Sequence, residues 1–150
     1  MQILTHRTEH TVWQPRWLNH PNGALGLLDL VIAVADLDEA AERFERFTAR
    51  PAIVNPFGRA LRLDRGRVQL MTAQALKQII ELPIPRLPFA AAYGLAATSV
   101  AVSEEKLRVG GIATERRGRS VLAKFPEDLG IGCWSFVENA ADLSWRAGES

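Results

Sequence analysis

The sequence predicts an α+β fold in which a β-α-β-β-β module occurs twice along 150 residues. Two helix-start signals, Asp36 and Ser103, stand 67 residues apart, and each follows an apolar, strand-like run. Two Gly-Arg pairs, which begin at Gly58 and Gly118, stand 60 residues apart, and each opens a predicted strand. Because the same order of elements recurs at a similar spacing, we expect two copies of one supersecondary unit.

The first module is predicted over about residues 25–82. Its expected elements are a strand at 27–35, a helix at 37–48, strands at 52–55, 59–63 and 67–71, and a short helix at 72–82. Asp36 is typical of a helix N-cap, and Glu39 stands at the capping-box position three residues later. Phe44 and Phe47 fall on the apolar side of this helix, so we expect both side chains in the core.

The second module is predicted over about residues 89–140, after a linker that three prolines keep free of regular structure. Its expected elements are a strand at 93–102, a helix that begins at Ser103 and ends at Gly110-Gly111, and strands at 112–116, 119–124 and 132–138. Residues 1–24 form an N-terminal arm ahead of a domain at 25–150.

The composition excludes several classes of protein. Hydrophobic residues make up 47% of the chain and charged residues 23%, with a net charge of +1, so we expect no nucleic-acid partner and no membrane partner. No apolar run approaches the ~18 residues that span a bilayer, and we expect a cytoplasmic protein. The single cysteine, Cys133, excludes an intrachain disulfide and a cysteine zinc site, and is expected to be a small buried apolar side chain.

Three stretches resemble the vicinal oxygen chelate superfamily, the group of glyoxalases, bleomycin-resistance proteins and extradiol dioxygenases. They are LDLVIAVADLDEAA at 28–41, WLNHPNGALG at 17–26 and GRVQLM at 66–71, and the resemblance covers about residues 20–138. It is closest to glyoxalase-like domains of unassigned substrate. The resemblance implies two modules whose sheets enclose a cleft, with the helices outside, and a cleft that usually holds a divalent metal and a small substrate.

The same resemblance implies a first metal ligand seven residues before the capping Asp36, which is Asp29. The equivalent position before Ser103 is Ala96, which has no donor atom. Further candidate ligands are Gln69 and Glu138 from the last strands of the modules and His20 from the arm. Oxygen donors of this kind suit Mg²⁺ or Mn²⁺. Because the set is incomplete, we expect no tightly bound transition metal, with a divalent metal as the open alternative.

Other side chains are predicted to line the cleft by strand alternation. They are Val31 beside Asp29, Arg62 and Arg67, and Met71 beside Gln69. Either arginine could bind a carboxylate through two hydrogen bonds, the alternative being a solvated surface arginine. Trp134 and Phe136 are expected in the core beneath the second helix rather than on a cleft wall.

The arm carries Trp13 and Trp17 among several aliphatic side chains, which is too much apolar surface to leave in water. We therefore expect it to take part in a homodimer contact, the alternative being that it covers the cleft of its own chain. For function we favour a metal-free cleft that binds a small molecule. The alternatives are a metal-dependent lyase or isomerase of the glyoxalase or dioxygenase type, and a partial domain that acts by pairing.

Overall fold

Eight strands and four α-helices make up the part of the chain that the computed structural model describes, residues 7–12, 14 and 20–149. The strands are β1 (Ala24–Val34), β2 (Ala52–Asn55), β3 (Gly58–Arg62), β4 (Arg67–Thr72), β5 (Phe89–Ala97), β6 (Thr114–Arg117), β7 (Ser120–Lys124) and β8 (Cys133–Val137). The helices are α1 (Glu9–Val12), α2 (Leu37–Thr48), α3 (Ala73–Ile79) and α4 (Val100–Val109). Three short 3₁₀ turns lie at Glu127–Leu129, Ala140–Asp142 and Ser144–Arg146.

All eight strands form one mixed sheet in the order β2-β3-β4-β1-β5-β8-β7-β6. At its centre β1 and β5 run antiparallel, and each pairs in parallel with the last strand of its own half, β1 with β4 and β5 with β8. Parallel neighbours need a crossover connection, and α2 and α4 lie within those crossovers. The predicted α+β fold of two βαβββ modules is therefore confirmed.

The helix α2 covers one face of the first module, which we call the outer face. Its N-cap is Asp36, as predicted, because the Asp36 side chain accepts the N–H groups of Asp38 and Glu39 at 3.1 and 3.0 Å. The predicted capping-box role of Glu39 is wrong. The Glu39 carboxylate instead accepts Nε–H of Arg43 at 3.0 Å, one turn along the same helix, since ion pairs form readily at that spacing.

Phe44 packs against the outer-face core that includes Leu61 and Leu70, whereas Phe47 is 46% exposed. The prediction that both rings are buried is therefore wrong for Phe47. In the last turn of α2, Phe47 lies at the edge of the apolar stripe whose buried centre is Ala40 and Ala41.

We expect Phe44→Ala to lower the free energy of unfolding by about 3 kcal/mol, at the low end for a core phenylalanine because its ring is only partly buried. Phe47→Ala should change it by less than about 1 kcal/mol. Urea unfolding of the two variants measures the difference, and equal losses would contradict this assignment of the helix face.

The second outer-face helix, α4, begins four residues earlier than predicted, so the predicted cap at Ser103 is wrong. Its N-cap is Ser99, and the first N–H of the helix, from Val100, is accepted by Glu138 Oε1 at 2.9 Å. Ser103 is instead a fully buried helix residue whose hydroxyl donates to Asn22 O at 2.8 Å. Because the helix starts earlier, the counterpart of Asp29 becomes Ala92 rather than Ala96, and it too lacks a donor atom.

Beneath α4, Phe136 is 2% exposed, and Trp134 packs on the same cluster with its ring centroid 4.5 Å from that of Phe125. Both rings are core, as predicted. None of the described helices is long and apolar enough to cross a membrane. Trp13 and Trp17 lie outside the described residues, so the role of the arm stays a prediction.

Candidate functional site

The opposite face of the sheet, which we call the inner face, carries Asp29, Val31 and Ala33 of β1. The parallel register with β4 places Arg67 beside Asp29, Gln69 beside Val31 and Met71 beside Ala33. The antiparallel register of β3 places Arg62 opposite Arg67. Strand geometry thus gathers the cleft residues expected from sequence on one face: Asp29, Val31, Arg62, Arg67, Gln69 and Met71.

The chain itself covers much of this inner face. Residues 140–149, which we call the tail, pack their side chains Leu143 and Trp145 into a core that also contains Val31 and Met71. Leu143 is 1% exposed and Trp145 has no exposed surface. The short helix α3 closes the other part of the same core with Leu76 and Ile79. Most of the predicted cleft residues are therefore buried, and Arg62 alone among them is exposed.

Asp29 is the centre of a buried polar cluster. Its Oδ2 accepts hydrogen bonds from Trp145 Nε1 at 2.7 Å, Arg67 Nη2 at 2.9 Å and Arg146 Nε at 3.0 Å. Arg146 Nη2 also donates to Oδ1 of the same carboxylate. Two guanidinium groups and one indole N–H thus replace the water that this carboxylate loses on burial.

Burial by itself would raise the pKa of Asp29. The hydrogen bond from Arg146, the charge of Arg67 and the hydrogen bond from Trp145 outweigh burial, so the pKa of Asp29 falls below its ordinary value of 3.8. The carboxylate is therefore ionised at neutral pH and forms charge-assisted bonds.

A depressed folded-state pKa stabilises the protein above the unfolded-state pKa, and this stabilisation disappears as pH falls through the folded-state pKa. We expect the difference in unfolding free energy between the wild type and Asp29→Asn to stay constant from pH 7 down to about 5. It should shrink only as the pH falls below the ordinary pKa of 3.8. Urea unfolding across this pH range measures it, and a difference that disappears near pH 6 would contradict the direction of the shift.

A second carboxylate extends the cluster toward the sheet edge. Arg67 Nη1 donates to both carboxylate oxygens of Glu149, at 2.7 and 2.6 Å. Asn55 Nδ2 donates to Glu149 Oε1 at 2.8 Å and to Gln69 Oε1 at 2.7 Å. Arg67 therefore lies between two carboxylates, one from β1 and one from the tail.

Beside Glu149 a hollow of about 330 Å³ opens to solvent. Its lining combines apolar and polar groups: Ile53, Val54, Pro56, Ala60, Asn55, Arg62, Arg67, Gly148 and Glu149. Among the residues that the structure describes, Arg62 has no ion-pair partner. A larger hollow of about 890 Å³ lies near α3, but its charged groups, Lys77, Glu81, Arg86 and Lys124, are all exposed.

The candidate metal ligands do not come together. Glu138 binds the N-terminus of α4, and His20 is exposed with Nδ1 2.6 Å from Asn22 Oδ1. Gln69 shares the inner face with Asp29, but its amide bonds Asn55. In residues 7–12, 14 and 20–149 no group of three His, Cys, Asp or Glu side chains could hold a metal ion. Since two guanidiniums already neutralise Asp29, a divalent metal does not fit this donor set.

Cys133 lies in the inner-face core with no exposed surface, and burial raises the pKa of its thiol to about 12. It is a neutral, apolar side chain, as predicted. Two residues further along β8, on the same face, Ser135 is 1% exposed, and its hydroxyl lacks a hydrogen-bond partner among the described residues.

Sequence reasoning did not find the tail residues Trp145, Arg146 and Glu149, nor Asn55. The tail has neither helical nor strand periodicity, because it folds as 3₁₀ turns. The available signal was a tryptophan followed by an arginine just after the last strand of the second module.

Gly94 shows how closely the tail approaches the sheet. A Cβ at Gly94 would lie 2.8 Å from Leu143 Cδ1 and 3.1 Å from Trp145 Cζ2. We expect Gly94→Ala to lower the free energy of unfolding by about 1–3 kcal/mol through overpacking. Gly26→Ala, on β1 with no atom within 4 Å of the added carbon, is the matched control and should be near neutral. Thermal or urea unfolding distinguishes them, and an unaffected Gly94→Ala would show that the tail is not packed there.

No protein-family model and no curated protein matches the sequence. Among solved structures, methylmalonyl-CoA epimerase from Mycobacterium tuberculosis is similar, with a TM-score of 0.59 and 21% identity over 85% of this chain and 96% of that one. A variant of the Streptomyces coelicolor epimerase in complex with 2-nitronate-propionyl-CoA has a TM-score of 0.54 and 16% identity, covering 79% of this chain and 97% of that one.

A methylmalonyl-CoA epimerase in complex with methylmalonyl-CoA and NH4+ is similar to the same extent, with a TM-score of 0.54, 16% identity and coverage of 79% and 97%. At these identities the likeness concerns the fold. The chain therefore shares the fold of these epimerases, in agreement with the α+β fold of two modules expected from its sequence.

Proposed function

We propose that this protein binds a small molecule at the hollow beside Arg67, without a metal ion. The observation that supports this most strongly is the pairing of apolar side chains with two arginines around one opening of about 330 Å³. Ligand sites typically combine an apolar lining with a few convergent polar groups in a volume of about 300–1,000 Å³. The hollow fits that description at its small end.

The polar groups of the hollow are held by rigid strands. Asn55 ends β2 and Arg67 begins β4, and both side chains are fixed by further hydrogen bonds, to Gln69 and Asp29 respectively. Such fixed donors lose little freedom when a ligand binds. Arg62, opposite Arg67 in the register, adds an exposed positive charge at the opening.

The fold is consistent with this proposal but does not identify a ligand. Two of the similar structures are epimerases in complex with CoA thioesters or their analogues, so the same architecture holds small molecules elsewhere. Fold does not transfer chemistry, which depends on the side chains of the site. A metal-dependent lyase or isomerase is less well supported, because Asp29 is bound by guanidiniums rather than free to hold a cation.

The test is an NMR titration of the ¹⁵N-labelled protein with a fragment set of acids, amides and neutral arenes. We expect a subset to shift the Asn55 side-chain amide and the Gly148 amide, and Arg62→Ala to weaken the anionic members of that subset. Arg119→Ala, which replaces an exposed arginine in the turn between β6 and β7, is the charge-matched control and should leave binding unchanged. Shifts confined to the hollow near α3, or none at all, would contradict the proposal.

A homodimer remains a second proposal, supported by one observation. Leu25 and Leu27 are 59% and 51% exposed at the start of β1, directly after the arm. In that stretch β1 pairs with β5 on one side, while its pairing with β4 starts only at Asp29. Light scattering of the intact chain and of a chain lacking residues 2–18 tests it, since a monomeric intact protein would exclude the homodimer.

A further inference from the structure

Glu149 lies where an incoming anion would bind in the proposed site. We infer that the ligand of this site carries a carboxylate on an apolar group, and that Glu149 is a tethered competitor which the ligand displaces from Arg67 and Asn55. This inference rests on the proposed function and specifies both the ligand class and the regulation of the same site.

The contacts of Glu149 are those of a bound carboxylate. Arg67 Nη1 donates to both of its oxygens, at 2.7 and 2.6 Å, and Asn55 Nδ2 donates to Oε1 at 2.8 Å. Both donors belong to the sheet, whereas Glu149 belongs to the tail, and its side chain is 28% exposed against 8% for Arg67. A free carboxylate can therefore reach the same donors from the open side of the hollow.

The charges of the cluster require an anion at this position. Three arginines, Arg62, Arg67 and Arg146, lie around the inner-face site with Asp29 and Glu149 as its two carboxylates. If Glu149 leaves and nothing replaces it, the largely buried Arg67 keeps only Asp29 as its counter-charge. Asp29 would then be shared between Arg67 and Arg146, which leaves excess positive charge in a poorly solvated site, so displacement is favoured by a ligand that brings its own negative charge.

The neighbouring groups decide what the carboxylate is attached to. Ile53, Val54, Pro56 and Ala60 line the rest of the hollow, and Ile53 and Val54 are 61% and 69% exposed. An apolar body of the ligand would bury that surface while its carboxylate pairs with Arg67. A small aromatic acid combines both features within about 330 Å³.

Glu149 can leave without disturbing the core. Gly148 has a φ of 80°, and the space on its Cβ side is open except for Pro56 at 3.6 Å. Glycine adopts positive and negative φ values at similar cost, so a change in the backbone conformation of Gly148 can move Glu149. Trp145 and Arg146, three or more residues earlier, hold the remainder of the tail on Asp29.

Ser135 indicates that the tail does not satisfy every polar group of the inner face. It pairs with Gly94, the residue over which Leu143 and Trp145 pack, and its buried hydroxyl has no partner among the described residues. Native proteins seldom leave such a group unsatisfied. The fit of the tail at this position is therefore incomplete, whereas Trp145 and Arg146 stay bound to Asp29 when Glu149 is displaced.

The experiment compares benzoate with benzamide on the full-length wild type, Glu149→Gln and Glu127→Gln. Glu127 is an exposed glutamate outside the site, so its variant controls for the change of net charge. The readouts are the NMR shifts of the Asn55 side-chain amide and of the Gly148 backbone amide, both of which line the hollow. We expect Glu149→Gln to bind benzoate on the order of tenfold more tightly than the wild type, because the competing closed state is less populated. Glu127→Gln should match the wild type, and benzamide should bind weakly to all three.

Three results would overturn the inference, and they separate it from the proposed function. If benzoate binds the wild type and Glu149→Gln equally, Glu149 is not a competitor, although the site itself stands. If benzamide binds as well as benzoate, the ligand class is wrong. If neither compound shifts these resonances in any variant while neutral fragments do, the inference alone fails; if no fragment of any kind shifts them, the proposed function fails with it.

Discussion

Replacing Asp29 by alanine is expected to lower the free energy of unfolding by about 3–5 kcal/mol, the usual effect of removing one partner from a buried ion pair. The carboxylate has no exposed surface and bonds Arg67, Arg146 and the Trp145 indole. Its removal leaves Arg146 without its carboxylate partner and Arg67 with Glu149 alone, so the two guanidiniums lose the negative charge that they share. The effect is larger than the loss of the hydrogen bonds alone, because like charges then repel in a poorly solvated site.

Urea unfolding of Asp29→Ala measures this loss, with Asp38→Ala as the control. Asp38 pairs with Arg59 on the surface, where its side chain is 78% exposed, so its loss should cost less than about 1 kcal/mol. The double variant Asp29→Ala/Arg146→Met should recover part of the stability, because it also removes the guanidinium that has lost its carboxylate partner. Additive losses in the double variant would show that the two side chains do not act as a pair.

Asp29 also shows what strand alternation can predict. Alternation with the apolar residues of β1 is enough to place Asp29 on the inner face, on the same side as Val31 and Ala33, and β4 behaves in the same way. What alternation cannot supply is the partner of that carboxylate. The sequence resemblance implies a metal ligand at this position, whereas the structure neutralises it with two arginines.

The error at Ser103 has a related cause. Ser103 followed by two glutamates is a stronger local helix-start signal than Ser99. The helix nevertheless starts after Ser99, where the carboxylate of Glu138 satisfies the first N–H group. Glu138 is 38 residues from Val100 in sequence, so this cap depends on tertiary structure and cannot be predicted from the local sequence.

The contacts by which the tail covers the inner face could not be predicted either, because they too join residues that are distant in sequence. The bond from Trp145 to Asp29 joins residues 116 positions apart, and the ion pair of Glu149 with Arg67 joins residues 82 positions apart. Neither contact has a periodic signature, because the tail is built from 3₁₀ turns. Sequence patterns thus predicted which strand residues lie on the inner face. The tail residues that contact them were found only in the tertiary structure.

Trp145→Ala should have an effect as large as that of Asp29→Ala, about 3–5 kcal/mol, because deletion of a buried tryptophan leaves a large cavity. The side chain has no exposed surface, packs in the inner-face core and donates to Asp29 Oδ2 at 2.7 Å. Trp145→Phe keeps most of the packing but loses the hydrogen bond, so it should cost less than the alanine variant. Equal losses in the two variants would show that packing of the indole contributes little.

Cys133 gives this prediction a second readout that is specific to the inner face. The thiol lies in the same core as Trp145 and is inaccessible in the native protein, so it reacts with a thiol reagent only when that core opens. Phe44→Ala is the matched control, since it destabilises the outer face by a comparable amount and affects Cys133 only through global unfolding. If the tail seals the inner face, Trp145→Ala will speed labelling of Cys133 well beyond Phe44→Ala once their unfolding free energies are taken into account. Equal labelling rates at equal stability would mean that the tail opens only with the whole domain, and that Glu149 alone, rather than the tail, moves when a ligand enters.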